Sequence, residues 1–236
     1  MAAICYAGVR KAVMIMTRTK LIDRKLPNYT VGEEIMNMVT HIAGGGIGVL
    51  VLLLCLQRSQ GRSASIVGAL IYGISMVALY TVSSVYHGLH RNMGKKVMQV
   101  IDHCTIYFLI AGTYTPILLS GFVPAYPIIG WGLLAAQWVL AALACTLTAI
   151  DLKKYNFFSM ICYIAMGWSI IFFIPQTIAV MTATGFYILL AGGIAYTVGA
   201  IIYGIGSKVR WFHSVFHIFV VIGSLLQFLA IYLYVL

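Results

Sequence analysis

Histidine and carboxylate side chains concentrate near the ends of a few long apolar stretches of this chain. The segment SSVYHGLH closes one such stretch and contains Ser83 and His87, four residues apart. The segment WFHSVFH opens another stretch and contains His213 and His217 with the same spacing. Residues i and i+4 lie on one face of an α-helix, so each pair is expected to present its side chains in one direction.

The two histidines of WFHSVFH have the spacing with which a helix offers two imidazoles to one metal ion. A third imidazole from His87 would give three neutral nitrogen ligands and one open position, the pattern of a catalytic zinc site. The five cysteines include no C-x-x-C pair, so zinc bound by thiolates is not expected. We therefore predict a zinc site formed by His87, His213 and His217, although a single H-x3-H pair also occurs without metal.

Further polar side chains accompany these histidines. Glu34, Asn37 and His41 follow one another at i, i+3 and i+7, which places them in one stripe along a helix. Asp102 lies in QVIDHC, near the start of another apolar stretch. An acid inside a membrane helix needs a partner, and carboxylates commonly orient metal-bound imidazoles. We predict that Asp102 and the stripe on the first helix lie beside the metal.

The composition identifies the elements that must position these groups. Of the 236 residues, 62% are hydrophobic and 8% are charged, whereas a soluble domain has about 25% charged residues. Crossing a bilayer as a helix takes about 20 apolar residues. We predict an all-α integral membrane protein, a seven-transmembrane helix bundle, with helices at about 35–56, 64–86, 97–119, 128–150, 157–175, 184–205 and 212–236.

The basic residues predict the orientation of this bundle. Thirteen of the 15 lie in the first 33 residues or in the loops between helices 2 and 3, 4 and 5, and 6 and 7, and the other two are Arg58 and Arg62. Positive residues stay in the cytoplasm, so the N-terminus is expected inside and the C-terminus outside. All six histidines then lie at the cytoplasmic level. Two of them, His90 and His103, are expected to have only interfacial and packing roles.

The first 33 residues differ from the rest of the chain. We interpret residues 1–33 as a basic cytoplasmic N-terminal arm and residues 34–236 as a seven-transmembrane receptor-like domain. The arm is expected to contact anionic lipid rather than nucleic acid. Thr30 and Glu33 form a T-x-x-E capping box that begins the first helix. The glycines of HIAGGGIG indicate close helix packing, because no strand precedes them as a dinucleotide site would require.

Together these motifs resemble those of the hemolysin III family, the bacterial branch of the progestin and adipoQ receptor superfamily. The motifs are E-x2-N-x3-H, S-x3-H with a downstream aspartate, and H-x3-H, and the similarity runs from about residue 30 to the end. The resemblance implies a multi-pass protein of the bacterial plasma (inner) membrane with an inside N-terminus. It also implies a zinc ion held by His87, His213 and His217, with Ser83 and Asp102 beside it.

Two functions remain open at this point. One is a zinc-dependent hydrolase that attacks a membrane-lipid amide with zinc-activated water, as the ceramidase-like relatives of the wider superfamily imply. Asp102 would then be the base, with Glu34 as second candidate, and Ser83 would orient water or an oxyanion. The alternative is a non-enzymatic membrane sensor, homeostasis or lysis-associated protein with a structural zinc. A cavity that reaches the metal would favour the hydrolase and a sealed site the structural role.

A membrane lipid is the expected substrate or ligand in either case, and the oligomeric state stays open. A pore is disfavoured because it needs polar groups along the whole crossing. In this sequence the histidines and the acids within the apolar stretches are confined to one end of the predicted helices.

Overall fold

The computed structural model describes residues 18–206 and 209–236. The part of the basic arm before Arg18 and the loop residue Lys208 therefore lie outside the described residues. Within those two ranges the regular secondary structure is helical throughout. This agrees with the all-α fold expected from the long apolar runs.

Seven main helices follow one another in the described part of the chain. They are α1 (Val31–Arg58), α2 (Ser63–Gly88), α3 (Met93–Pro116), α4 (Pro127–Ile150), α5 (Asn156–Trp168), α6 (Ile174–Gly206) and α7 (Phe212–Tyr234). Short 3₁₀ turns occur at Leu21–Asp23 and Ser169–Phe173, and α3 continues through a π-helical stretch, Ile117–Phe122, and a helical turn, Val123–Ala125.

Among the described residues, six helical runs are long and apolar enough to cross a membrane. The sequence predicted seven, and the difference lies in one run of 51 residues, Asn156–Gly206. A hydrogen bond between its two halves shows that this run is not straight. The Trp168 indole donates to the Thr197 hydroxyl at 2.9 Å. A straight helix would separate those residues by about 43 Å. The chain folds back near Thr182, whose φ of 65° and ψ of 165° are not helical.

The first helix begins at the capping box predicted from the sequence. The Glu33 amide donates to the Thr30 hydroxyl, and the Glu33 carboxylate accepts from the Thr30 amide at 2.8 Å. The helix starts at Val31, four residues before the predicted start at 35. Glu33 thus serves as the capping residue, and the next residue, Glu34, contacts another helix.

Glycines on one side of α1 let α2 approach closely, as predicted from HIAGGGIG. A Cβ atom at Gly44 would lie 2.6 Å from the ring of Tyr80, and one at Gly48 would lie 3.3 Å from Met76. At Gly46, which points away from α2, nothing lies within 4 Å. The contact brings α1 against α2 just beyond the polar stripe of α1.

Hydroxyl groups link three helices about two turns of α7 beyond the histidines. The Tyr80 hydroxyl on α2 lies 2.7 Å from the Ser224 hydroxyl on α7, and the Tyr196 hydroxyl on α6 is also 2.7 Å from Ser224. Hydrogen bonds of this kind satisfy polar groups that have no water inside a bilayer. They hold α2, α6 and α7 together beneath the predicted site.

Residues 18–30, which we call the N-terminal strap, cross the end of the bundle where the histidines lie. The Arg91 guanidinium donates to the Pro27 carbonyl at 2.9 Å, and the Lys96 ammonium donates to the Ile22 carbonyl. Both donors belong to the α2–α3 connection and the start of α3. The strap therefore contacts the loops of the same face, and its predicted contact with anionic lipid stays a prediction.

Asp151, between α4 and α5, anchors the beginning of the strap. Its carboxylate accepts the Thr19 amide at 2.6 Å and the amides of Lys153 and Lys154 at 3.1 Å each. Burial acts to raise the pKa of Asp151, but the hydrogen bonds outweigh it and hold the pKa below its ordinary value. The carboxylate thus stays charged at neutral pH and fixes the strap to the α4–α5 loop.

Candidate metal centre

Three imidazoles from α2 and α7 converge at one end of the bundle. The Nε2 atom of His213 lies 3.4 Å from Nε2 of His87 and 3.1 Å from Nε2 of His217. One nitrogen from each ring lies within 4.8 Å of the other two. The helix spacing and the predicted convergence of α2 and α7 therefore bring together the three residues that the sequence selected as metal ligands.

The separations of these nitrogens fit a tetrahedral metal ion. Two imidazole nitrogens at about 2.0–2.1 Å from zinc, at a tetrahedral angle, are about 3.3 Å apart. A neutral imidazole has one N–H group, so three facing nitrogens cannot all satisfy one another. The Nδ1 atoms of His213 and His217 are buried and find no hydrogen-bond partner within the described ranges. These residues are consistent with a bound metal ion.

The third imidazole is oriented by a carboxylate from α1. Glu34 Oε2 lies 2.7 Å from Nδ1 of His87, and the amide nitrogen of Asn37 lies 3.4 Å from the same atom. A carboxylate accepts the proton of Nδ1, which leaves the lone pair of Nε2 directed at the other two histidines. The ammonium of Lys95 lies 2.7 Å from the other Glu34 oxygen.

The rest of the α1 stripe also faces the histidines. The side-chain oxygen Oδ1 of Asn37 accepts a hydrogen bond from the Ser214 hydroxyl at 2.6 Å, which connects α1 to the first turn of α7. The His41 ring stacks on the His217 ring with 3.7 Å between centroids and 17° between planes. Asn37 and His41 are both buried. The i, i+3, i+7 spacing therefore places all three stripe residues against the ligand histidines.

A strained residue fixes the beginning of α7. Trp211, two positions before His213, has a φ of 67°, a left-handed conformation that is unfavourable for a side chain of this size. Its amide donates to Glu33 Oε1 at 2.7 Å, and its ring lies 3.3 Å from where a Cβ atom at Gly32 would be. The capping glutamate of α1 thus also positions the helix that carries two of the three histidines.

The strap covers the imidazoles from the end of the bundle. The Tyr29 ring stacks on the His213 ring at 4.8 Å, with 19° between the planes. Burial raises the pKa of Tyr29 above its ordinary value, so the ring remains a neutral phenol. Sequence reasoning missed Tyr29, for which the only signal was its place directly before the capping box.

Ser83 and Asp102 lie on the other side of the histidines, where both line a cavity with His41, His213 and His217. The nearest titratable partner of Asp102 among the described residues is its neighbour His103, with Oδ2 and Nδ1 3.6 Å apart. The carboxylate that contacts a ligand imidazole is therefore Glu34. His103 also contacts the Gln99 carbonyl and the Tyr203 hydroxyl, whereas His90 is exposed and stands apart from the cluster.

Lys95 is a further residue of the site that sequence reasoning did not select. It was counted only among the loop charges that set the orientation. Its side chain is 3% exposed, which is unusual for lysine. One signal in the sequence indicated that Lys95 faces the site. Lys95 lies seven residues, or about two turns of helix, before Asp102, which places both residues on one side of α3.

Fold and site together define an all-α membrane bundle with a cluster of three histidines, two buried and one half-buried. A model of the family described as "Haemolysin-III related" matches residues 29–228. The chain therefore belongs to the hemolysin III family, within the progestin and adipoQ receptor superfamily. With six apolar runs among its described residues and with bacterial relatives, it is a multi-pass integral protein of the bacterial cell membrane.

Relatives extend over most of the chain. Hemolysin-3 of Bacillus cereus is 38% identical over 208 residues, covering 87% of this chain and 93% of the relative. The hemolysin-3 homolog of Bacillus subtilis (strain 168) is 36% identical over 212 residues, covering 87% and 96%. The monocyte to macrophage differentiation factor of Homo sapiens is 27% identical over 176 residues, covering 70% and 69%.

Proposed function

We propose that this protein binds zinc through His87, His213 and His217 and hydrolyses an amide bond of a membrane lipid. The spacing of the three nitrogens and the Glu34 contact support the metal. The cavity beside the cluster is the single observation that carries the choice of a hydrolase over a purely structural site.

This cavity has a volume of about 160 Å³ and lies between α2, α3, α5, α6 and α7. At one end it is lined by His41 and two of the proposed ligands, His213 and His217, with Ser83 and Asp102, and it extends along α7 as far as Gln227. The distance from His213 to Gln227 is about 21 Å of helix, which exceeds half of the roughly 30 Å hydrocarbon core. A polar end and a long apolar wall complement an amphiphile with one extended chain.

The metal, the residues at the polar end and Glu34 each have a distinct part in such a reaction. A zinc ion held by His87, His213 and His217 would supply Lewis-acid activation of a water molecule. The Asp102 carboxylate accepts the proton of the attacking water and returns it to the leaving amine. The Ser83 hydroxyl donates a hydrogen bond to the oxygen that becomes negative. Glu34 holds the ring of His87 in orientation through Nδ1.

A structural zinc in a membrane sensor or homeostasis protein is the second candidate. It is favoured by the meeting of three helix ends at the cluster. The histidines come from α2 and α7, and their polar partners come from α1. A metal there would fasten three helices together without any turnover. Both candidates use the same ligands and differ in the role of the cavity.

Hydrolysis in vesicles distinguishes the two candidates. Purified protein with stoichiometric zinc, reconstituted with a ceramide, is expected to release free fatty acid and the sphingoid base in equal amounts. A lipid extract incubated with and without the protein extends the measurement to other amides and to esters. Stoichiometric zinc with no hydrolysis of any lipid in the extract would contradict the hydrolase and support the structural role.

We also propose that the bundle crosses the membrane seven times, with the N-terminus inside. The reversal at Thr182 divides the 51-residue run into two antiparallel halves, and the basic residues concentrate on one face. A reporter fused after Leu236 is expected outside the cytoplasm, and one inserted at 152–156 is expected inside. The reverse result would move the metal site to the outer leaflet.

A further inference from the structure

We propose that Lys95 is a positioning residue of the metal centre, which acts by fixing the Glu34 carboxylate against His87. This inference rests on the proposed metal site and adds a residue outside the three motifs of the chain. The chain of contacts runs from the Lys95 ammonium to Glu34 Oε1, and from Glu34 Oε2 to Nδ1 of His87.

Every donor of the Lys95 side chain has an acceptor. The ammonium lies 2.7 Å from Glu34 Oε1 and donates to the carbonyls of His87 at 3.2 Å and Leu89 at 3.0 Å. An ammonium has three N–H groups, so this set uses all of them. A buried lysine with all three donors satisfied holds a defined position, unlike a solvated surface lysine.

These three contacts fix two parts of the His87 ligand at once. The contact with Glu34 aims the carboxylate that orients the ring. The contacts with the His87 and Leu89 carbonyls satisfy acceptors at the end of α2, which have no partner inside the helix. Lys95 therefore fixes the ring of His87 through its Nδ1 atom and the backbone of His87 through its carbonyl.

Removal of Lys95 would leave the Glu34 carboxylate with one partner at the edge of the membrane. Glu34 is only 18% exposed in its side chain, and a carboxylate removed from water is costly without a cation beside it. We expect it to rotate toward water and to release Nδ1 of His87. Loss of such a partner of a metal ligand typically weakens metal affinity about 10–100-fold.

The neighbouring residue Lys96 provides a matched control. It carries the same charge at the same face of the membrane, but its ammonium donates to the Ile22 carbonyl in the strap. Its side chain is half-buried and makes no described contact with Glu34 or His87. Lys96→Met thus removes one basic charge without removing the partner of Glu34.

The experiment measures zinc affinity by competition with a chelator, on detergent-solubilised full-length protein. We expect Lys95→Met to bind zinc about 10–100-fold more weakly than the wild type and Lys96→Met to bind it equally well. Lys95→Arg, which keeps the charge, is expected to lie nearer the wild type than Lys95→Met. With cobalt in place of zinc, the visible absorption of Lys95→Met should change, whereas that of Lys96→Met should not.

A double variant tests whether Lys95 acts through Glu34. Glu34→Gln combined with Lys95→Met is expected to lose less zinc affinity than the two single losses added together, because the contact between Lys95 and Glu34 can be lost only once and only the backbone contacts of Lys95 remain to be removed. Fully additive losses would overturn the inference. If Lys95→Met does not fold, Lys95→Gln replaces it with the same expectation.

The two possible failures are distinguishable. Absence of zinc from the wild-type protein would overturn the proposed metal site and this inference with it. A wild type that holds zinc, with equal affinities for Lys95→Met and Lys96→Met, would overturn only the role of Lys95.

Discussion

Asp102→Asn is expected to lower lipid hydrolysis by about 10²–10⁴-fold while the protein still holds zinc at saturating metal. Asparagine keeps the shape of the side chain and removes its ability to accept the proton of the attacking water. The change should spare the metal, because the carboxylate that contacts His87 is Glu34, at 2.7 Å from Nδ1. Zinc content and turnover are measured on the same reconstituted sample.

Asp23→Asn is the matched control for this prediction. Asp23 is exposed in the strap, so its replacement removes one negative charge without changing the cavity. Its turnover should equal that of the wild type. Wild-type turnover in zinc-loaded Asp102→Asn would exclude Asp102 as the base and would make Glu34 the next residue to test.

His213→Ala and His217→Ala are each expected to lower the zinc content from about one ion per chain to nearly none. Either change leaves two of the three converging nitrogens, and the cavity offers no thiolate to replace the lost ligand. Metal analysis of the purified protein measures the result. His90→Ala should retain zinc, since that histidine is exposed and lies outside the cluster.

Stoichiometric zinc in a variant that lacks both His213 and His217 would contradict the assignment of the ligands. The same preparations also report on the fold. The His41 ring stacks on His217, so His217→Ala leaves a space beside α1 in addition to removing a ligand. His213→Ala removes a ligand and the stacking contact with Tyr29 in the strap instead, so zinc loss common to both variants reports the loss of a ligand.

Hydropathy was sufficient to predict an all-α membrane protein, because long apolar segments leave no other way to satisfy backbone groups in a bilayer. It also predicted a break between the fifth and sixth spans, at about 176–183, and the reversal at Thr182 lies inside that break. Hydropathy did not fix the residue at which the chain turns, because the break contains apolar residues such as Ile178 and Val180 that are compatible with helix. The backbone conformation of Thr182 sets the turn.

Helical spacing was sufficient to place the side chains of one helix on a common face. The stripe of α1 and the two histidines of α7 could therefore be selected from sequence, and the structure brings them together. Spacing does not fix the rotation of one helix relative to another. For that reason, the partner of His87 could not be chosen between Glu34 and Asp102 before the packing of α1, α2 and α3 was known.

Residues outside periodic segments were the least predictable. Tyr29 lies in an irregular segment before α1, where no repeat indicates the direction of a side chain. Lys95 lies in the first turn of α3, where its charge is explained by membrane orientation alone. Their roles depend on tertiary contacts that join segments distant in sequence.

The position of Tyr29 also has a kinetic consequence. Its ring stacks on His213, and the strap is fastened at Asp151, Arg91 and Lys96. A chelator or a competing ion from the aqueous side is expected to reach the imidazoles faster when this segment opens locally. The rate of metal exchange would then report the opening of the strap, while the affinity at equilibrium would report the imidazoles and the partners that hold them.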